Sequence, residues 1–164
     1  MDLPAHTYLD TLGIPYSRHT FPCDTPKGAA QVAEALGYRA RQMVKTLIFA
    51  VDTGEKVLVM VGGDQNAISG HLKKAIGSRN IHMAAPDVVH ATCGYAIGSI
   101  PPFHWQPVGF RSFLEASLMQ EEVLGVGAGH WGEEILIAPA HLVTASRAQV
   151  VNLTERGQPV MPAS

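Results

Sequence analysis

The sequence has few cysteines, few charges and no long apolar run. Its two cysteines, Cys23 and Cys93, are too few for a disulfide framework, so we expect a reducing, cytoplasmic environment. Charged residues make up 16% of the chain, and the net charge of −2 argues against indiscriminate nucleic-acid binding. No apolar run approaches a membrane span, and the start, MDLPAHTYLD, lacks the regions of a signal peptide. We therefore expect no membrane association.

The familiar motifs for nucleotides, metals and serine nucleophiles are also missing. The segment GVGAGH begins like a dinucleotide fingerprint, but His130 stands where the third glycine should fall. None of the eight histidines has HxH or HExxH spacing, so we predict no metal site. A nucleotide-dependent enzyme on an unrelated α/β scaffold remains an alternative, although no phosphate loop supports it.

The local patterns predict one mixed α/β domain over residues 1–164, without repeats or linkers. Helices are predicted in PAHTYLDTLG, TPKGAAQVAEALG, ISGHLKKAIG, APDVVHATCG and APAHLVTAS, with Thr25 and Ser69 as N-caps. Strands are predicted in PYSRHTF, NIHMA, EVLGVGAG, EEILIAP and QVVNL, and in two apolar runs joined by the turn DTGE. The segment VGFRSFLEASLMQ is predicted as a strand that enters a turn or short helix. So many strand pairs favour a mixed or antiparallel sheet.

The positive charge is concentrated in one segment. Residues 27–79 hold eight of the twelve Lys and Arg but four acids, which makes this segment +4 and the remainder −6. Such a segment suits a phosphate backbone, and an unevenly charged surface exposed to water is an equally good interpretation.

Lys45 is unusual because it lies inside the apolar strand pattern MVKTLIFAV. A buried strand does not ordinarily carry a charge, so Lys45 is a candidate functional residue. The alternative is that it lies at the end of the strand and reaches water.

The segment CGYAIGSIPPFHW, residues 93–105, predicts a stiff loop. Its prolines donate no N–H, which leaves amide donors at Gly98, Ser99, Ile100 and Phe103. A rigid turn with several free N–H groups can bind an anion or an oxyanion. A purely structural connection is the alternative.

Taken together, these segments resemble one family. VKTLIF, VLVMVGGD, GYAIGSIPPF, FLEASLM and AGHWGEEILIAPAHLV follow one another in the order and spacing of the YbaK family, the prolyl-tRNA synthetase-associated or INS-like (ProX/EbsC) trans-editing domains. The resemblance runs from about residue 25 to residue 153. It implies a mixed α/β fold, with a mixed or antiparallel sheet or a partly closed barrel surrounded by helices.

The resemblance also implies a function. Such proteins hydrolyse the ester between a wrong amino acid and its tRNA, often tRNA for proline, without a metal or cofactor. The implied partners are the 3′ acceptor end of aminoacyl-tRNA and prolyl-tRNA synthetase. We expect a monomer or weak homodimer. The implied catalytic residues are Lys45, Gly98 and Ser99. Thr25 and Pro102 match substrate-binding positions of the family. From our own interpretation of the same segments we add Ile100, Phe103, His104 and Glu115 as candidate substrate-binding residues.

Two positions depart from the family pattern. His104 follows the loop where many relatives have glycine, and Glu115 stands where aspartate is common. His104 adds a candidate base, and both changes bear on which amino acid is removed. A binding module of the same fold that no longer hydrolyses its ligand is therefore the main alternative.

Overall fold

A computed structural model describes residues 1–155, in which short helices and strands alternate. The helices are α1 (Pro4–Leu12), α2 (Ala29–Leu36), α3 (Ser69–Ile76), α4 (Pro86–Cys93) and α5 (Pro139–Ser146). The strands are β1 (Ser17–Thr20), β2 (Lys45–Val51), β3 (Lys56–Val61), β4 (Ile81–Met83), β5 (Arg111–Glu115), β6 (Leu124–Gly127), β7 (Glu133–Ile137) and β8 (Gln149–Val151). Two 3-10 turns, Ala40–Gln42 and Ala116–Gln120, precede β2 and follow β5.

The strands form two sheets. The larger sheet has the order β4-β2-β3-β5-β8, with antiparallel pairs on one side of β3 and parallel pairs on the other. The smaller sheet is antiparallel, with the order β1-β7-β6. Met43 bridges to Gly125, and the Val44 N–H donates to the Gly125 carbonyl at 2.8 Å, so β6 lies beside the start of β2. The predicted mixed α/β fold is confirmed, and the described strands do not close into a barrel.

The main core lies between the two sheets, where α1 and α5 cover it. Leu58 and Met60 of β3 face this core together with Ile135 and Ile137 of β7. The intervening valines of β3 pack on the other side with Leu72 and Ile76 of α3. Because β3 is covered on both faces, its apolar run is continuous rather than alternating.

The helix ends are only partly as predicted. Gly13 and Gly37 end α1 and α2 with φ of 68° and 79°, the left-handed conformation that glycine adopts without strain. The prediction that Thr25 caps α2 is wrong, because Gly28 precedes the first helical residue and Thr25 lies in a turn. Ser69 is likewise not a cap but the first residue of α3. The N–H of the preceding residue, Ile68, donates to the Leu153 carbonyl at 2.7 Å.

None of the helices within residues 1–155 is long and apolar enough to cross a membrane.

Candidate active site

A cavity of about 430 Å³ opens where β2, the start of α2, the loop after α4 and the smaller sheet meet. Its walls are mainly apolar, and its polar groups come from four separate segments. The lining residues are Lys27, Gly28, Ala29, Val32, Met43, Val44, Lys45, Thr46, Leu47, Ile97, Gly98, Ile100, Gly127, Trp131 and Glu134.

Lys45 is the first residue of β2 and is half-buried at this cavity. Its Nζ donates to Oδ1 of Asn66 at 3.2 Å. Partial burial lowers the pKa of the ammonium group, and the charge of Asp64 opposes this effect. No ion pair within residues 1–155 includes Lys45, so its charge is available to a ligand.

Two residues of the loop whose backbone N–H groups are free within residues 1–155 line the same cavity. Gly98 and Ile100 both line it, and their N–H groups donate to no acceptor among the described residues. Ser99 lies between them, but its N–H already donates to the Ala96 carbonyl at 3.1 Å. Gly98 has φ of 93°, a conformation that side chains disfavour. Of the predicted site residues, the structure thus brings Lys45, Gly98 and Ile100 together.

The rest of the loop is buried away from the cavity. Phe103 is fully buried in the main core, where it stacks on Tyr8. Pro102 is buried, and its carbonyl accepts a hydrogen bond from Gln106 at 2.8 Å. Ser99 packs against β6, because a Cβ at Gly127 would lie 3.0 Å from the Ser99 carbonyl carbon. These residues hold the loop in place rather than line the cavity.

His104 also lies outside the cavity lining. Its Nε2 is 2.6 Å from the Tyr95 hydroxyl, and burial lowers the pKa of its imidazole. His104 has φ of 81°, which explains why glycine suits this position.

Thr25 and Glu115 are placed where they support other residues. The Thr25 carbonyl accepts from Nε1 of Trp131 at 3.2 Å and so orients a side chain of the cavity wall. Glu115 is 1% exposed at the end of β5, is not among the lining residues, and accepts from the Leu153 N–H at 2.7 Å. The Ser117 N–H also donates to it, at 2.8 Å. Glu115 therefore joins β5 to the segment after β8.

Glu134 is the main site residue that the sequence analysis missed. It lies in β7, the middle strand of the smaller sheet, and is 7% exposed on the cavity wall. Burial raises the pKa of its carboxyl group to about 8. The sequence EEILI contains a signal for it, because Glu134 shares a strand face with Leu136 and a buried acid on a central strand is uncommon.

Lys27 and Trp131 form an additional part of the cavity wall. The Lys27 Nζ lies 3.9 Å from the centre of the indole ring, a cation–π contact. Phe21 packs edge-on against the same ring at 4.8 Å. No group of three His, Cys, Asp or Glu residues in the described part of the chain is placed to hold a metal ion.

Comparison with known proteins gives consistent matches. A family model described as an aminoacyl-tRNA editing domain matches residues 24–145. EbsC of Enterococcus faecalis, provisionally named a Cys-tRNA(Pro)/Cys-tRNA(Cys) deacylase, is 26% identical over 144 residues, which cover 87% of each chain. A proline–tRNA ligase of Staphylococcus aureus is 37% identical over 136 residues, which cover 82% of this chain but only 22% of the ligase. The crystal structure of a protein provisionally assigned as a trans-editing enzyme for prolyl tRNA synthetase superposes with a TM-score of 0.83 at 25% identity, covering 95% of this chain and 100% of that one.

Proposed function

The chain belongs to the family of aminoacyl-tRNA editing domains, and from this premise we propose that it hydrolyses the ester bond of mischarged aminoacyl-tRNA in trans. The proposed substrate is tRNA for proline that carries a small wrong amino acid. The names of the relatives support this choice, since one is a deacylase named for Cys-tRNA(Pro) and another is a proline–tRNA ligase. Prolyl-tRNA synthetase is the proposed partner that releases the substrate.

The observation that carries the proposal is the convergence of Lys45 with the free amides of Gly98 and Ile100 on one cavity. Hydrolysis of an ester passes through a tetrahedral intermediate with a negative oxygen. Backbone N–H groups held in place before the reaction stabilise this oxygen, and one such donor is typically worth roughly 10²–10³ in rate. We assign this role to Gly98 and Ile100.

Lys45 is proposed to hold the 3′ end of the tRNA. Its ammonium group acts as a point charge for the terminal phosphate or ribose. Exposed Lys27 adds a second cation at the cavity. Two other cations of the basic segment, Arg39 and Arg41, are already paired with Glu121 and Asp64, so they contribute less to tRNA binding.

The apolar wall is proposed to select the amino acid by size. A cavity of about 430 Å³ is near the lower end of the ligand-site range, which suits a small aminoacyl group and part of the ribose. Size selection in an apolar pocket is limited to roughly 10–200-fold per methylene, so a separate editing step is useful where a synthetase cannot discriminate further.

The test uses tRNA for proline charged separately with alanine, cysteine, serine or proline. We expect the protein to hydrolyse one mischarged ester and to spare the prolyl ester. Lys45→Ala should abolish this activity, whereas Lys74→Ala, at an exposed position on α3, should retain it. Binding of mischarged tRNA without hydrolysis of any ester would instead select the non-catalytic binding module.

A further inference from the structure

We propose that Glu134 binds the α-ammonium group of the aminoacyl ester, so that the site accepts tRNAs with a free α-amine and rejects N-acylated ones. This inference rests on the proposed deacylase function and defines its substrate class. Formylmethionyl-tRNA and peptidyl-tRNA carry the same ester bond, but the α-nitrogen of the esterified residue is an uncharged amide. Recognition of the amine would therefore keep the protein from hydrolysing them.

The first observation is a buried carboxyl group that lacks a partner. Glu134 is 7% exposed, and its carboxyl group accepts no hydrogen bond and forms no ion pair within residues 1–155. An isolated buried carboxylate is costly, and here the cost appears as a pKa raised by burial to about 8. A cationic ligand would supply the missing partner, because a charge-assisted hydrogen bond favours the ionised carboxylate.

The second observation is the space around this group. Gly127 of β6 stands directly opposite Glu134 in the strand register. A Cβ at Gly125 would lie 3.0 Å from Oε2 of Glu134, so β6 leaves room for the carboxyl group only because it has no side chain there. The glycines of β6 thus keep the wall around the carboxyl group open.

The third observation links Glu134 to the proposed oxyanion donors. Gly127, which pairs with Glu134, is also the residue against which Ser99 packs, with the Ser99 carbonyl oxygen 3.1 Å from a Cβ built at Gly127. Gly98 and Ile100 flank Ser99. In an aminoacyl ester the α-nitrogen is two bonds from the carbonyl carbon. A group that binds the amine must therefore lie close to the groups that bind the carbonyl oxygen. The shared neighbour Gly127 connects Glu134 with the segment that carries them.

The fourth observation is the distribution of charge. The cavity carries a half-buried cation at Lys45 and a buried acid at Glu134, and the two form no ion pair. The 3′ end of an aminoacyl-tRNA carries the complementary charges, an anionic phosphate and a cationic amine, separated by the ribose and the ester. Each charge in the cavity then has an opposite charge in the ligand.

The main alternative is that Glu134 acts as a general base toward water. Both roles need the ionised carboxylate, so the raised pKa of the free protein does not separate them. The two roles differ in a measurable way. Loss of a base slows every ester equally, but loss of an ammonium-binding group affects only esters that carry a free amine.

The experiment compares alanyl-tRNA with N-acetyl-alanyl-tRNA, prepared from the same tRNA, in the wild type and in Glu134→Gln. Gln preserves the side-chain shape and removes the charge. We expect the wild type to hydrolyse the free-amine ester roughly 10- to 150-fold faster, as for one hydrogen bond to a charged group. Glu134→Gln should lower this ratio by about the same factor, because the bulk of the acetyl group affects both proteins equally. Glu133→Gln, at the half-buried neighbouring position, should leave the ratio unchanged.

Equal hydrolysis of both esters by the wild type, or a ratio that survives in Glu134→Gln, would overturn the inference and leave the deacylase function intact. Binding provides a second measurement that does not need hydrolysis. Calorimetry would compare 3′-alanylamido-adenosine with 3′-propionylamido-adenosine, which lacks only the amine. Tighter binding of the amine by a similar factor, lost in Glu134→Gln, supports the inference even if no ester is hydrolysed. No preference, or no binding of either compound, overturns it.

Discussion

The hydroxyl of Tyr95 lies 2.6 Å from Nε2 of His104, and this contact joins the two ends of the loop that carries Gly98 and Ile100. The ring of Tyr95 also lies against the connection between β6 and β7, where a Cβ at Gly129 would be 2.6 Å from it. Neither Tyr95 nor His104 lines the cavity. The contact therefore braces the loop from outside the site.

We expect His104→Gly to lower deacylation by less than about 10-fold, because the imidazole does not line the cavity and glycine accepts φ of 81°. Loss of a general base would cost roughly 10²–10⁴-fold. Tyr95→Phe, which removes the same contact from the other side, should have a similar effect. The measurement is kcat/KM for both variants. A loss above 100-fold in His104→Gly, with Tyr95→Phe unaffected, would place His104 in proton transfer.

Gly127→Ala should displace the loop that carries Gly98 and Ile100 and so reduce deacylation. The added Cβ would lie 3.0 Å from the carbonyl carbon of Ser99, and backbone at this distance must move. Overpacking of this kind costs about 1–3 kcal/mol in the free energy of unfolding. Gly70→Ala is the matched control, since nothing lies within 4 Å of its Cβ and alanine favours the helix α3. Equal activity in both variants would show that the loop tolerates displacement.

Glu115→Gln should lower the free energy of unfolding by about 2–4 kcal/mol, because several donors would lose a charged acceptor in a buried position. The same change at Glu55, in a half-exposed pair with Arg111, should cost about 0.2–1 kcal/mol. Urea unfolding of the two variants measures the difference. Comparable losses would show that the network around Glu115 adds little.

The effect of Glu115→Gln should also depend on pH. Burial alone would raise the pKa of Glu115, but hydrogen bonds from Ser117, Leu153 and Thr154 lower it overall. A lowered pKa means that the stabilisation is complete above the pKa of the unfolded chain, about 4.3, and is lost as the pH falls through the lower folded-state value. The difference between wild type and variant should therefore shrink in acid.

Glu134 should show the opposite pH dependence. Its folded-state pKa of about 8 lies above the unfolded value of about 4.3, so the native state binds the proton more tightly than the unfolded chain does. The free energy of unfolding therefore falls as the pH rises from about 4.3 to about 8. Glu134→Gln should match the wild type near pH 5 and exceed it in thermal stability at pH 9. The charged or titratable groups nearby are Lys27, Lys45 and His19, which stands opposite Glu134 on β1. An equal difference at both pH values would contradict the burial of an ionisable carboxyl group.

The sequence by itself determined the local structure and two parts of the site. The hairpin of β2 and β3 follows from two apolar runs around DTGE, and the helix ends at Gly13 and Gly37 follow from glycine at the position that needs a left-handed backbone. Lys45 stood out as a charge in an apolar strand, and the loop stood out by its prolines. Each of these signals lies within a few neighbouring residues, which is the range over which periodicity and turn chemistry act.

Only the tertiary structure decided which groups face the cavity and which donors are free. Glu134 reaches the wall because β7 lies between β1 and β6 and because β6 carries glycines beside it. Glu115 accepts a hydrogen bond from Leu153, in the segment after β8 and 38 residues further along the chain, rather than from a ligand. These roles come from pairing between distant segments. A short stretch of sequence cannot specify such pairing, because the same acid or amide is either satisfied or left free depending on the partner that folding brings to it.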